Sequence, residues 1–157
     1  MIERVLVPMD GSEAAERALR YALEVHDDAE IVVFHVSGEP SSMMGKAAGI
    51  ALSDDADDSV HEDARGVIDR ARAIAAEYGA SIDVEVTVGQ PAQRIVDRAE
   101  GGDGDGGGDG GHERGEGDGI DAVVLGTHGG SLVDRLMVGN VAESVVRRSP
   151  VPVTVVR

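Results

Sequence analysis

An α/β fold with a mainly parallel sheet covered by helices on both faces is predicted by the order of elements along the chain. Three observations carry that prediction. Short apolar runs, "IERVLVPM", "EIVVFHV", "IDAVVL" and "VPVTVV", have the length and β-branched character of buried strands. Between them lie segments with helical spacing of apolar residues. Turn signals such as Asp10-Gly11-Ser12 and Gly89-Gln90-Pro91 separate the two kinds.

Taken in order, "IERVLVPM" is the first strand, ending at Asp10-Gly11-Ser12. Ser12 is the expected N-cap of a helix that buries Ala15, Leu19, Ala22 and Leu23. "EIVVFHV" is the second strand, and the stretch from Ser37 to about Ser53 lacks clear periodicity and reads as a loop. From Ala56 to Tyr78 the residues Val60, Ala64, Val67, Ile68, Ala71, Ala75 and Tyr78 fall on one helical face. "SIDVEVTV" alternates strictly, as a half-exposed or edge strand does, and its acids discourage edge pairing. Pro91 suits the first turn of a helix burying Ile95, Val96 and Ala99. "IDAVVL" is a fourth strand, "VAESVVRR" a last helix and "VPVTVV" a final strand without a charge before Arg157. An apolar edge strand of that kind needs a partner, which points to a homodimer through Val151 to Val156.

Residues 101 to 119, "GGDGDGGGDGGHERGEGDG", hold 11 of the 22 glycines and no apolar side chain, so the tract cannot join a core and is expected to be a disordered surface excursion. Calcium-binding repeats would need a regular period with inward apolar residues, and neither is present. The whole chain, 1–157, is thus expected to be one domain with an insertion.

Composition limits the function. There is no cysteine, which excludes disulfides, thiolate zinc sites and a cysteine nucleophile. Thirty acidic residues against 14 basic ones give a net charge of -16, which opposes nucleic-acid binding in the absence of a basic stripe. No segment reads as a membrane span or a secretory leader, so a cytoplasmic protein is expected. The acid excess, the single lysine (Lys46) and the three aromatic residues resemble proteins of halophilic cells, whose carboxylates form a hydrated, salt-screened coat.

The stretch "GTHGGSLVDRLMVGN", residues 126 to 140, places glycines in the pattern G-x2-G-x9-G after the fourth strand. Such a loop lets backbone N–H groups turn toward an anion, and the helix that follows adds unsatisfied donors and a positive dipole end. Phosphate could be held there without lysine. The competing reading is a plain connection, with Asn140 as N-cap and Glu143 closing a capping box. No P-loop and no G-x-G-x-x-G signature is present. Asp10, Ser12 and His128 could be imagined as a catalytic set, but N-cap serines and loop histidines are mostly structural. Asp57 and His61 stand one helical turn apart, which in so acidic a chain reads as a solvated face rather than a metal site.

"RVLVPMDGSEAAERAL", "IVVFHV", "VGQPAQRIVDRAE", "IDAVVLGTHGG" and "DRLMVGNVAESVVRRSPVPVTVV" together resemble the universal stress protein family. The resemblance implies a Rossmann-like three-layer sandwich with strand order 3-2-1-4-5, usually dimeric through the last strand. Its ATP-binding group carries G-x2-G-x9-G-[ST], and Gly126, Gly129 and Gly139 match that pattern. It further implies that Asp10 meets the nucleoside, that the backbone at Val36 contacts adenine, and that Thr127, His128, Asn140 and Val141 belong to the same loop and helix start. Asn140 stands where the pattern has Ser or Thr, and its amide can still donate to a phosphate oxygen. Gly130 stands where many relatives have a basic residue. The implied function is a stress-associated regulatory protein that holds ATP, with Mg accompanying it, and at most hydrolyses it slowly. The alternative is a member without nucleotide, acting on protein partners not identifiable from the sequence.

Overall fold

The computed structural model describes residues 1–37, 53–101, 119–127 and 139–157, without the side chains of 53–63. Five strands form one parallel sheet: β1 (Arg4–Pro8), β2 (Glu30–Ser37), β3 (Asp83–Val88), β4 (Ala122–Gly126) and β5 (Val153–Val156). Their order is β3-β2-β1-β4-β5, so β1 is central and the first and fourth strands are neighbours. Four described helices connect them: α1 (Glu13–Val25), α2 (Ser53–Glu77), α3 (Pro91–Ala99) and α4 (Asn140–Arg148).

Side-chain alternation sorts the apolar residues into two cores. Val5, Val7, Ile31, Val33 and Val124 face α1 and α2, whereas Leu6, Val32, Phe34, Val123 and Leu125 face α3 and α4. Helix α1 begins as expected: Ser12 Oγ accepts the Ala15 N–H at 3.2 Å, and Leu19 and Ala22 are fully buried. In α2 the helical face is led by Ala71, Ile74 and Ala75. Tyr78, expected on that face, lies just past the helix and is 41% exposed, because the helix ends at Glu77.

Strand β3 is an edge. Its Val86 and Val88 are exposed, and Glu85 accepts a two-pronged hydrogen bond from Arg98 of α3 at 2.6 and 2.8 Å. That pair explains why an arginine is buried on α3, which the apolar spacing alone does not reveal. Two ion pairs, Arg70 with Glu16 and Arg20 with Glu77, tie α2 to α1. The Arg70 guanidinium holds the Glu16 carboxyl below the usual range, and Arg20 does the same for Glu77. The expected loop after Ser37 and the acidic glycine tract fall almost wholly outside the described residues.

Candidate functional site

At the carboxyl end of the sheet β1 stops at Pro8, and the chain turns through Met9, Asp10 and Gly11. The Asp10 carboxylate accepts the Ser12 N–H at 2.9 Å, an Asx turn that delivers the chain into α1. Gly11 sits at φ 82°, a left-handed conformation that glycine takes without cost, and a β-carbon there would stand 3.4 Å from Val67 of α2. Asp10 and Ser12 therefore have structural work in the turn. Among the described residues nothing aligns Ser12 as a nucleophile, and its hydroxyl caps α1.

On the neighbouring strand, β4 ends at Gly126. A β-carbon on Gly126 would lie 2.2 Å from the Ala14 carbonyl oxygen, so this glycine lets the first turn of α1 close against the sheet. Thr127 follows it, buried, with its N–H donated to Val156 of β5 at 3.0 Å. The chain returns at Gly139, which is itself the N-cap of α4 with no side-chain capping bond. The capping box of the competing reading does not form: Asn140 is the first helical residue, and Glu143 pairs with Arg147 at 2.8 Å. An exchange of one position decides this, because Gly139 takes the extended conformation that the cap requires. The first turn of α4 is left with backbone donors that no described side chain satisfies.

These pieces surround one pocket of about 100 Å³ at the rim where strand order reverses. Its apolar walls come from Phe34 and Val36 of β2, Ile95 of α3, Leu125 of β4 and Val141 and Ala142 of α4. Asp10 stands at its edge, and among the described residues no lysine or arginine lines it. An apolar slot bordered by a carboxylate on one side and an uncapped helix start on the other can hold a flat heteroaromatic group and an attached anion.

Four of the residues expected from the sequence are brought together here: Asp10, Val36, Gly126 and Val141. Thr127, Gly139 and Asn140 lie next to it along the chain but do not line it. His128 and Gly129 lie outside the described residues, as do the side chains of Asp57 and His61. Among the described residues no group of three or more His, Asp or Glu is placed to hold a metal ion. The sequence missed Phe34, Pro91 and Ile95 as pocket residues. The break at Gly89-Gln90-Pro91 was the available signal, since it starts α3 at the same rim.

A sequence model of the universal stress protein family matches residues 1–105 and 115–157. The chain belongs to the universal stress protein family. Universal stress protein MJ0531 of Methanocaldococcus jannaschii is 26% identical over all of this chain and 83% of its own length. Universal stress protein UspA from Lactobacillus plantarum superposes with a TM-score of 0.73 at 25% identity, covering 99% of this chain and 98% of that one. Two further universal stress proteins share the fold at 22% identity. One was solved in complex with cAMP (TM-score 0.66, 99% and 97% covered) and one, from Archaeoglobus fulgidus, in complex with dAMP (TM-score 0.59, 100% and 98% covered).

Proposed function

We propose that this universal stress protein is a nucleotide-binding regulatory protein that holds ATP in the rim pocket, the base between β2 and α3 and the phosphates at the start of α4. The observation that carries the reading is the uncapped first turn of α4 beside an apolar pocket edged by Asp10. A capped α4 would have favoured a protein-interaction module without nucleotide, and the capping bonds it needs are absent from Asn140 and Glu143. The complexes of two relatives with cAMP and dAMP support an adenine nucleotide as the ligand class. Mg would arrive with the triphosphate, since no described metal cluster awaits it.

The same proposal includes a homodimer through β5. This strand is the second edge of the sheet, its four residues are half-buried in the single chain, and none is charged. A cytoplasmic location accords with the family and with the finding that no described helix is long and apolar enough to cross a membrane.

The test is a calorimetric titration with ATP and Mg in molar-range KCl, after chromatography for nucleotide already bound. Saturable binding near one per subunit is the expected result. No heat and no bound nucleotide would overturn the reading and leave the rim as a plain connection.

A further inference from the structure

The hydrogen bonds of the central ladder show how Val36 comes to face the pocket. Pro8 pairs with Phe34 at the end of β1, and the next N–H, that of Met9, donates to the Phe34 carbonyl at 2.9 Å. In a parallel ladder a residue sends its N–H and C=O to the same side, and successive residues alternate sides. Phe34 therefore points to β1 and Ser37 to β3, the latter shown by the Gly89 N–H donated to the Ser37 carbonyl at 3.0 Å. Val36 points its backbone to the β1 side, where β1 has ended and the pocket begins.

One more rung would have joined the Val36 N–H to the Met9 carbonyl. That rung is missing among the described backbone bonds, and the Met9 carbonyl is taken by His35 Nδ1 at 2.8 Å. His35 is 7% exposed, so its ring satisfies a carbonyl that would otherwise be stranded where the ladder stops. The bond requires the tautomer with the proton on Nδ1, since a carbonyl only accepts.

We infer that His35 is a positioning residue: by turning the Met9 carbonyl toward its ring and away from the Val36 N–H it keeps the ladder from closing and leaves the Val36 N–H and C=O open to the edge of a planar base. The inference takes its ligand from the nucleotide reading above, but its geometry stands apart from it. His35 touches no ligand. It acts through Met9 and Val36, and it also anchors the residue from which the Asp10 turn departs.

The experiment compares the full chain with His35→Phe, which keeps a ring and loses the donor, and His35→Asn, whose amide can reach the same carbonyl. The first readout needs no ligand: hydrogen exchange of the Val36 amide by NMR. Fast exchange is expected in the parent and in His35→Asn, and protection in His35→Phe as the extra rung forms. The second readout is affinity for adenosine and, separately, for inorganic triphosphate. Adenosine binding should weaken about tenfold in His35→Phe, the loss of roughly one hydrogen bond, and recover in His35→Asn, with triphosphate binding unchanged in both.

A Val36 amide already protected in the parent would overturn the inference. So would a His35→Phe variant that lowers only the melting temperature, with amide exchange and adenosine affinity as in the parent. If the parent binds neither ligand, the nucleotide reading fails, while the Val36 exchange pattern still decides the role of His35. If His35→Phe does not fold, the 15N shifts of the parent's ring decide: a proton on Nδ1 upholds the bond, and a proton on Nε2 alone removes it.

Discussion

Gly126 and Ala14 meet backbone to backbone: a β-carbon on Gly126 would stand 2.2 Å from the Ala14 carbonyl oxygen and 2.8 Å from the Ala15 nitrogen. Neither atom is the end of a flexible side chain, so the clash can be relieved only by moving α1 or β4. Gly126→Ala should destabilise the fold by roughly 1–3 kcal/mol, the usual cost of overpacking. The midpoint of urea unfolding measures this. An unchanged midpoint would mean that α1 has room to retreat.

This contact also marks the limit of what the sequence discloses. The glycine spacing suggested close approach to a ligand, but what decides Gly126 is a helix contact with a residue 112 positions away, which no local pattern encodes. Strands β1, β2 and β4 were legible because burial on both sheet faces leaves continuous apolar runs. Strand β3 was legible from its alternation, although its last half inverts the expected faces: Thr87 is buried while Val86 and Val88 are exposed. The cap of α4 was not, since Gly139 and Asn140 both suit an N-cap and only the path of the chain chooses between them. Of the site, Asp10, Val36, Gly126 and Val141 came from the family pattern, whereas the walls from Phe34 and Ile95 depend on where α3 packs.

Filling the pocket should separate base recognition from phosphate recognition. In Val36→Phe the added ring occupies the space between Phe34 and Ile95, and ATP affinity should fall at least about tenfold, or about 1.4 kcal/mol. Val36 is only half-buried, so the melting temperature should change little. Titration and thermal melting on the same preparation check both halves, and undiminished ATP binding would place the base elsewhere.

Asp121 links the start of β4 to the start of β1. Its Oδ2 accepts the N–H groups of Glu3 and Arg4 at 2.8 and 3.0 Å, and these bonds, Glu3 first, hold its carboxyl below the usual 3.8. The folded pKa is therefore lower than the unfolded one. The stabilisation is fully present above the unfolded value and disappears as pH falls through the folded value. Asp121→Asn should cost roughly 0.5–1 kcal/mol at neutral pH, the low end for a hydrogen-bonded carboxylate that is partly exposed. It should also flatten the acid limb of stability below pH 3.8. Unfolding curves from roughly pH 2.5 to 7 would show an unaltered limb if these bonds contribute nothing.

Like charges meet at the same end of the sheet. Glu30 lies against Asp83, which raises its pKa above the usual value, and Arg4 bridges the two at 3.0 and 3.5 Å. With a net charge of -16 spread over the chain, added KCl should raise the melting temperature steadily into the molar range. A melting temperature independent of salt would contradict the picture of a salt-screened acidic coat.

The family match breaks between residues 105 and 115, inside the acidic glycine tract. Removing residues 106–114 takes away no apolar side chain, and the melting temperature should stay within about a degree, the scatter of a neutral surface change. A drop of many degrees would show that the tract braces the fold.

The central position of β1 also governs how the molecule comes into being. Its inner edge can pair with β2 early, but its other edge waits for β4, and the Asp121 bond to Glu3 spans 118 positions. On the ribosome, the β4-facing edge at Val5 and Leu6 stays uncovered until the chain has been made through β4. Closure of so distant a pair is slow, and the nascent apolar edge is open to other chains meanwhile. Mutual repulsion of a heavily anionic chain keeps those neighbours apart during the wait.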